Sequence, residues 1–364
     1  MPNMPLLHEF GAIMLYAMTS VALQNAIDSF IEPRLFLAAA SIGLPTRETI
    51  AALRNDLDLW SGSNRDPMDY EPIVARTRGH YAQLVNVPVS NVAIASQTSV
   101  MASVFAAAVP AGAEVLCVDG DFTSIVFPFL QRPDITVRSI PLESMADEVT
   151  DATWLVVFSL VQSANGRLAP VSAILESAAA HNAYTLCDTT QAAGVHPVDA
   201  SQFDATVCHA YKWLCSPRGV GFMTLSSRMQ GALTPISAGW FAGDEIWKSC
   251  YGPAMNLAPD ARRFDVSPAW PTWVGAEPAI RMFASLDIDE VWAHCTALGD
   301  QLCDGLGIQQ QHQAIVTWAD ASGSDLSKLS AAGVKASGRA GRVRAAFHLW
   351  NDESDVAAVV AALR

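Results

Sequence analysis

The sequence predicts an α/β protein in which a mostly parallel β-sheet lies between helices and a smaller α+β domain follows it. Apolar, strand-like runs alternate with helical segments through the middle of the chain. Strands separated by helices need crossover connections, which favour a parallel sheet. After about Pro253 the pattern changes to a stretch rich in proline and tryptophan, and further helical segments follow. The hydrophobic fraction of 51% is enough for a large buried core.

These changes of pattern predict three parts. Residues 1–45 form an N-terminal arm or a part of the smaller domain, residues 46–255 form the large domain, and residues 256–364 form the smaller C-terminal domain. At 364 residues the chain is longer than one average domain, which agrees with a large α/β body and a satellite.

Individual elements are predicted from local patterns. Thr46 precedes apolar residues at helical spacing and is expected to cap a helix. The run "NVAIASQTSVMASVFAAAVPAG" indicates a short strand, a polar turn at Ser96–Ser99 and a helix. The end of the chain indicates a strand and then a helix, with Asp352 or Ser354 near the helix cap. The other predicted strands are "AEVLCVDGDF", "TWLVVFSLV", "AYTLCDTTQ", "ATVCHAYK" and "GVGFMTLS".

Charge and cysteine content argue against several classes of function. The formal net charge is −14 and the densest basic stretch, "RAGRVR", is short, so a nucleic-acid partner is not expected. The seven cysteines form no CxxC pair and no array with zinc spacing, which predicts no metal site and reduced thiols in a cytoplasmic protein. The apolar run "FGAIMLYAMTSVAL" is shorter than a membrane span and is interpreted as a packing arm or helix. No membrane partner is expected.

Polar residues follow several of the predicted strands, at the edge where open α/β sheets bind ligands. Asp188 ends one apolar strand, and Lys212 ends the next. Asp188 alone has a second interpretation, as the cap of the following turn. Together, the carboxylate and the amine suit a ligand with a cationic ring nitrogen and an aldehyde, which describes pyridoxal phosphate. The residues expected at this edge are Gln97, Thr98, Phe122, Ser163, Asp188, Gln191, His209 and Lys212.

Asp188, Gln191 and the run "HAYKWL" together resemble the class V aminotransferase family of enzymes that use pyridoxal 5'-phosphate. That family includes cysteine desulfurases, kynureninase and isopenicillin N epimerase-like proteins, and the resemblance extends through most of the chain. It implies the family's fold type I, with a seven-stranded sheet in a cofactor-binding domain over residues 46–255. It also implies that Lys212 forms the Schiff base with the cofactor, that Asp188 pairs with the pyridinium nitrogen, and that Gln191 lies beside the phenolic oxygen.

The resemblance implies further cofactor contacts. "ASQTSV" corresponds to the phosphate loop, so Gln97, Thr98 and Ser99 are expected to hold the phosphate at a helix N-terminus. A plain helix cap is the alternative for this stretch. The remaining expected contacts are phosphate donors at His209 and Tyr211, a stacking ring at Phe122 with core packing as its alternative, and Ser267 where a partner subunit of a homodimer approaches the phosphate.

Other segments bear on the substrate. "VQSANG", which contains Ser163, and "AGWFAG", which contains Trp240, resemble segments near the active site of the kynureninase branch. "VRAAFHLWND" resembles the strand whose arginine binds the substrate carboxylate, so Arg344 is the candidate, while Arg342 and Arg339 either share this role or face solvent. The preceding run "AAGVKASGRAGRVR" lacks the nucleophilic cysteine of cysteine desulfurases, which argues against a persulfide-forming enzyme.

These features together favour a carbon–sulfur β-lyase that acts on a cysteine S-conjugate, with natural-product biosynthesis of the lincosamide type as a setting. The alternatives are a decarboxylation-coupled oxidative deaminase of such a conjugate, or an aminotransferase or epimerase of the same family. A protein of this fold that has lost catalysis and serves as a scaffold is a different class. The presence of Lys212, Asp188 and Gln191 together argues against that class.

Overall fold

Seven strands form the central sheet of the computed structural model, which describes residues 19–31 and 35–364. The strand order is β1-β7-β6-β5-β4-β2-β3, and only β7 runs antiparallel to the other strands. The strands are β1 Val92–Ala95, β2 Glu114–Val118, β3 Thr136–Ile140, β4 Thr153–Ser159, β5 Tyr184–Asp188, β6 Ala205–His209 and β7 Gly221–Leu225. This arrangement confirms the predicted mostly parallel, seven-stranded sheet.

Helices cover both faces of the sheet, because alternate side chains of β4 are buried in two different hydrophobic clusters. Leu155 and Val157 are buried in one hydrophobic cluster, whereas Val156 and Phe158 are buried in the cluster on the other face. A strand that is buried on both faces has a continuous apolar run as its sequence, which is why β4 is evident from the sequence.

The helices are α1 Val21–Asp28, α2 Arg47–Ser61, α3 Tyr70–Leu84, α4 Thr98–Ala108, α5 Thr123–Leu130, α6 Val171–Ala180, α7 Ser227–Ala232, α8 Trp270–Ala284, α9 Ile288–Leu306, α10 Ser324–Ala331 and α11 Glu353–Leu363.

Strand β3 is the member of the sheet that the sequence did not reveal. It lies at the edge, and its sequence "TVRSI" has two exposed, two partly buried and one buried residue instead of forming an apolar run. Arg138 of β3 pairs with Glu114 of the neighbouring β2 at 3.1 Å. Polar side chains of this kind are typical of edge strands.

Two predicted helix caps are confirmed. Thr46 Oγ1 accepts a hydrogen bond from the backbone N–H of Thr49 at 3.1 Å and begins α2. Asp352 accepts from the backbone N–H of Ser354 at 2.8 Å and begins α11, where Asp355 completes a capping box. Each such cap satisfies a backbone N–H that the first helical turn leaves without a partner.

A second, three-stranded antiparallel sheet follows, with the order β8-β10-β9. Its strands are β8 Ile315–Ala319, β9 Ser337–Arg339 and β10 Arg342–Ala346. Residues 35–38 lie against it, since Leu37 N donates to Lys335 O at 2.8 Å and Ala346 N donates to Leu37 O at 2.9 Å. Helix α8 packs instead on α2 and α3. The domain boundaries at residues 45 and 255 stay a prediction.

Most of the run "FGAIMLYAMTSVAL" lies outside the described residues, and α1 begins within it at Val21. None of the helices in the described ranges is long and apolar enough to cross a membrane. Within the same ranges, no group of histidine, cysteine and acidic residues is placed to hold a metal ion. All seven cysteines are free thiols, and only Cys250 is exposed.

A buried ion pair joins β1 to the segment that leads into α8. Arg78 of α3 donates to both carboxylate oxygens of Asp265, at 3.0 and 2.6 Å, and to Val92 O at 2.6 Å. Asp265 Oδ1 also accepts from the backbone N–H of Ile94 at 2.8 Å. Because both partners are withdrawn from water, removal of either leaves an uncompensated buried charge.

Asp265→Ala is expected to lower the free energy of unfolding by about 3–5 kcal/mol, because it leaves Arg78 charged and unpaired in the core. Urea unfolding followed by circular dichroism measures this change. Lys248→Ala is the matched control, since Lys248 pairs with Glu245 at the surface, where 77% and 61% of the two side chains are exposed. The control is expected to change stability by less than about 1 kcal/mol. Equal effects of the two substitutions would contradict the structural role of the buried pair.

Candidate active site

One cavity lies at the carboxyl edge of the central sheet. Strands β4, β5 and β6 end there at Ser159, Asp188 and His209. The connection of residues 210–220, which turns from β6 into the antiparallel β7, carries Lys212. The residues that line the cavity are Gln97, Thr98, Phe122, Ser124, Ser159, Ser163, Asp188, Thr190, Gln191, His209, Tyr211, Lys212 and Arg218.

Lys212 is a buried amine without a polar partner. It is 4% exposed, and among the described residues its Nζ forms no hydrogen bond or ion pair. The nearest rings are those of Phe122, 5.1 Å from Nζ to the centroid, and Tyr211, at 5.6 Å. Burial lowers the pKa of Lys212 to about 8, although the charge of Asp188 acts in the opposite direction. The amine is therefore neutral far more often than a surface lysine.

Asp188 is equally buried and only partly satisfied. Its Oδ1 accepts from the backbone N–H of Thr190 at 2.8 Å, the hydroxyl of Thr190 also acts on the carboxylate, and no basic side chain of the described residues forms an ion pair with it. Burial raises the pKa of Asp188 to about 6, against the hydrogen bonds from Thr190 and the charge of Lys212. The predicted capping interaction with the following turn is thus present.

Two helices begin at the cavity with free N-termini. Helix α4 begins after Gln97 and α5 after Phe122, and neither of these side chains caps its helix. The first backbone N–H groups of a helix have no partner within the helix and attract anions. Thr98 lies at the first position of α4 and lines the cavity. Arg218 adds a positive charge, with its guanidinium 4.8 Å from the centroid of the Tyr211 ring.

His209 contributes as a neutral ring. Burial lowers its pKa to about 4, and the charges of Arg218 and Lys212 act in the same direction. Its Nε2 accepts from the backbone N–H of Gly219 at 3.4 Å, so Nδ1 carries the hydrogen. The ring of Tyr211 lies 4.3 Å away, centroid to centroid.

Arg344 does not line the cavity but contacts Ser163, which does, and it has no acidic partner in the described part of the chain. It is 1% exposed, and its guanidinium donates to Ser41 Oγ at 2.8 Å, to Ser337 Oγ at 3.1 Å and to Ser163 Oγ at 3.2 Å. It also donates to the backbone oxygen of Ser163. Burial lowers the pKa of Arg344 to about 10, and the charge of Arg339 adds to this effect. The guanidinium charge is compensated only by neutral oxygens.

Three other predicted residues lie away from the cavity. Ser99 follows Thr98 within α4 and is not part of the lining. Ser267 is exposed, in the segment that leads into α8. Trp240 packs on Trp247, with 5.0 Å between the ring centroids. Arg342, one of the alternatives to Arg344, donates to Thr317 O at 3.1 Å, away from the cavity.

Four lining residues were absent from the predicted site. Ser159 and Thr190 are the last residue of β4 and the second residue after β5, so their places at strand ends were available signals. Ser124 lies in the first turn of α5. Arg218 lies in the connection between β6 and β7, and only the folded path of residues 210–220 brings it to the cavity.

Asp121 is a further buried carboxylate that holds the edge together. It accepts from Ser159 Oγ at 2.6 Å, from the Ser159 backbone N–H at 2.8 Å and from the Phe122 backbone N–H at 2.6 Å. This carboxylate therefore joins the end of β4 to the start of α5. Its role depends on contacts between distant segments, which local sequence patterns do not contain.

The residues present fit pyridoxal 5'-phosphate. A buried amine without a polar partner, Lys212, suits its aldehyde, and the buried carboxylate of Asp188, which has no ion-pair partner among the described residues, suits its ring nitrogen. The uncapped starts of α4 and α5 suit its phosphate. The fold and the cavity therefore define a pyridoxal-phosphate-dependent enzyme of fold type I.

The chain belongs to the class V aminotransferase family, whose model matches residues 70–327, more than half of the sequence. An uncharacterized aminotransferase of Bacillus subtilis is 25% identical over 281 residues, which cover 72% of this chain and 73% of that relative. Kynureninase of Deinococcus radiodurans is 25% identical over 254 residues, or 66% of this chain and 61% of the relative. The isopenicillin N epimerase of Amycolatopsis lactamdurans is 26% identical over 200 residues, or 48% and 50%. The chain thus spans only about half of the epimerase.

Solved structures agree on the fold. The complex of the cystine C-S lyase C-DES with its reaction product cysteine persulfide has a TM-score of 0.82 and 19% identity, and the match covers 91% of this chain and 97% of that one. The cysteine desulfurase CsdA of Escherichia coli has a TM-score of 0.80 and 18% identity, with coverage of 93% and 97%. At these identities the similarity shows a shared fold type I architecture.

The low pKa of Lys212 predicts how the cofactor-free protein captures pyridoxal phosphate. Only the neutral amine attacks an aldehyde, and a pKa of about 8 makes about one-tenth of Lys212 neutral at pH 7. The rate of adduct formation is therefore expected to rise with pH and to level off above about pH 8. The appearance of the visible absorption band measures the rate, and mass spectrometry after borohydride reduction locates the adduct.

Lys212→Ala is the control for this experiment and is expected to give no visible band and no adduct at this site. A surface lysine keeps gaining neutral amine up to a pKa near 10.4. A capture rate that continues to rise through pH 10 would contradict the lowered pKa of Lys212, and capture by the Lys212→Ala protein would contradict its role.

Proposed function

We propose that the enzyme is a carbon–sulfur β-lyase that cleaves cysteine S-conjugates. The reaction consumes the conjugate and one water and yields a thiol, pyruvate and ammonia. The Cα–H bond and the Cβ–S bond break, the sulfur leaves as a thiol, and water releases the nitrogen as ammonia. The same site residues also suit other reactions at Cα. The proposal therefore depends on whether the substrate sulfur leaves as a thiol or is transferred to a cysteine of the protein.

The polar residues supply the steps that the protein must perform. The guanidinium of Arg344, which lacks an acidic partner, binds the substrate carboxylate together with the hydroxyl of Ser163. Lys212 Nζ, with a pKa of about 8, removes the proton from Cα and is suited to return a proton to the departing sulfur. Pyridoxal phosphate, when bound, accepts the electron pair of the bond that breaks at Cα. Asp188 holds the positive charge of the ring nitrogen.

The observation that carries the proposal is the lining of the cavity, which contains no cysteine within the described residues. A persulfide-forming desulfurase needs a thiolate at the substrate sulfur. The cysteines that flank the site in sequence are unsuited to this, because burial raises the pKa of Cys208 to about 12 and raises the pKa of Cys215 well above its usual value. The sulfur is therefore expected to leave with its substituent as a thiol. The neighbour described as a cystine C-S lyase supports C–S cleavage on this fold.

The proposal includes a setting for the enzyme. We infer a cytoplasmic homodimer with shared active sites, in which Ser267 approaches the partner's phosphate, and a role in natural-product biosynthesis. Exposed apolar side chains support a homodimer interface. Among them are Phe127 at 55%, Leu130 at 53% and Ile42 at 53% exposure. The similarity to isopenicillin N epimerases supports the biosynthetic role.

Incubation of the cofactor-loaded enzyme with S-alkyl cysteines is expected to release pyruvate and the free alkyl thiol in equal amounts. Pyruvate is measured with lactate dehydrogenase and the thiol with a chromogenic disulfide. Lys212→Ala serves as the inactive control. Release of carbon dioxide and an aldehyde instead would favour the decarboxylating deaminase, and inversion at Cα without release of sulfur would favour an epimerase.

Two further outcomes of the same incubation would identify either an aminotransferase or a protein without catalytic activity. A requirement for a 2-oxo acid acceptor, with appearance of the pyridoxamine spectrum, would identify an aminotransferase. The absence of any product, together with the absence of a visible band, would identify a scaffold protein and overturn the proposed enzyme.

Arg344→Lys is expected to raise the KM for the S-alkyl cysteine by about 10- to 100-fold, because a point charge replaces the planar fork that binds a carboxylate with two hydrogen bonds. Steady-state kinetics measures the change. Arg342→Lys is the matched control on the same strand, because among the described residues the guanidinium of Arg342 hydrogen-bonds only to Thr317. A KM that rises equally in both variants would contradict the assignment of Arg344.

A further inference from the structure

Trp213 follows Lys212 directly and lies behind the cavity, where it is 1% exposed. Its indole N–H donates to Gln191 Oε1 at 2.8 Å. Its backbone oxygen accepts from Nε2 of the buried His348 at 2.8 Å, while His348 Nδ1 accepts from the backbone N–H of Leu349. A Cβ added at Gly194 would lie 2.8 Å from the same backbone oxygen. These contacts hold the indole ring in one position beside Gln191.

The indole N–H determines which way the amide of Gln191 points. Gln191 Oε1 faces the indole, and Nε2 donates to Ala40 O and to Ser163 Oγ, each at 3.0 Å. An indole nitrogen only donates and a backbone carbonyl only accepts. Rotation of the amide by half a turn would place two donors against each other at Trp213 and two acceptors against each other at Ala40. Because Gln191 is 4% exposed, water does not relieve these contacts.

The fixed orientation of the Gln191 amide determines whether the Ser163 hydroxyl donates or accepts a hydrogen bond in the cavity. Ser163 Oγ accepts from Gln191 Nε2 at 3.0 Å and from Arg344 Nη1 at 3.2 Å. A hydroxyl group has two lone pairs and one hydrogen, so these two bonds use both lone pairs. The hydrogen remains for a third partner, and Ser163 lines the cavity.

We propose that Trp213 is a positioning residue for the cofactor and substrate: by locking the amide of Gln191, it makes Ser163 a hydrogen-bond donor to an anionic oxygen of the bound ligand. Two such oxygens are available, the phenolic oxygen of the cofactor and the carboxylate of the substrate. The proposal requires bound pyridoxal phosphate, and it is independent of which bond the enzyme breaks.

Trp213→Phe removes the indole N–H and keeps an aromatic ring in the core. Loss of a donor near the phenolic oxygen increases the proton affinity of the cofactor, so the pH titration of the visible band is expected to shift upward by about half to one unit. If Ser163 donates instead to the substrate carboxylate, the band is unchanged and the KM rises several-fold at constant kcat. Trp350→Phe is the matched control, because Trp350 is 6% exposed and its indole donates to Phe36 O at 2.8 Å, away from the cavity.

Ser163→Ala provides the same test without changing the core. It is expected to shift the same observable in the same direction, and Trp213→Phe added to Ser163→Ala is expected to produce no further shift, since both act through one hydroxyl. A band and a KM that are both unchanged in Ser163→Ala would overturn the proposal. So would full additivity in the double variant, or equal changes in Trp213→Phe and Trp350→Phe.

Discussion

Lys212 and Asp188 are both almost fully withdrawn from water. Burial lowers the pKa of Lys212 and raises the pKa of Asp188, so in both residues it favours the neutral form. Each displacement corresponds to roughly 3 kcal/mol of unfavourable burial. Their mutual attraction therefore does not offset the cost of desolvation. The guanidinium of Arg344 is in the same situation, since it donates to three serine hydroxyls and, within residues 19–31 and 35–364, to no carboxylate. A cofactor with an aldehyde and a cationic ring nitrogen, together with a substrate carboxylate, would satisfy Lys212, Asp188 and Arg344 at once.

The architecture of the sheet brings these groups together. Parallel strands end at one edge, so β4, β5 and β6 deliver Ser159, Asp188 and His209 to the same cavity. The antiparallel β7 then forces the chain to turn at that edge, and the turn carries Lys212. Gly43 is required beside this turn, because a Cβ there would lie 2.0 Å from the Lys212 backbone oxygen. The N-terminal segment thus packs directly on the backbone of the reactive lysine.

Sequence patterns predict the parts of this arrangement that depend on local chemistry. The apolar runs of β4 to β6, the caps at Thr46 and Asp352, and the polar residues at strand ends all follow from neighbours in sequence. Strand β3 is not evident from the sequence because this edge strand carries polar, exposed residues and lacks an apolar run. Arg218 was missed because its position depends on the path of a long connection.

Contacts between segments that are distant in sequence determine the positions of the remaining site residues. Asp121 meets Ser159 across 38 residues of sequence, Trp213 meets Gln191 across 22, and Arg344 meets Ser41 across 303. The burial of each donor and acceptor makes such pairings strongly preferred in the folded protein. A single sequence contains no signal for them, because each residue type alone is equally suited to the surface or to a turn.

The choice among reactions at Cα depends on the same distant contacts. The bond that breaks is the one held perpendicular to the cofactor ring, so the position of the substrate carboxylate selects it. In the proposed function Arg344 binds that carboxylate, and its guanidinium is held by Ser41 from the N-terminal segment, Ser163 from the turn after β4 and Ser337 from β9. The three serines belong to three separate parts of the chain. Substitution of any one of these serines would remove one of the hydrogen bonds that hold the guanidinium and would leave the charged residues of the site unchanged.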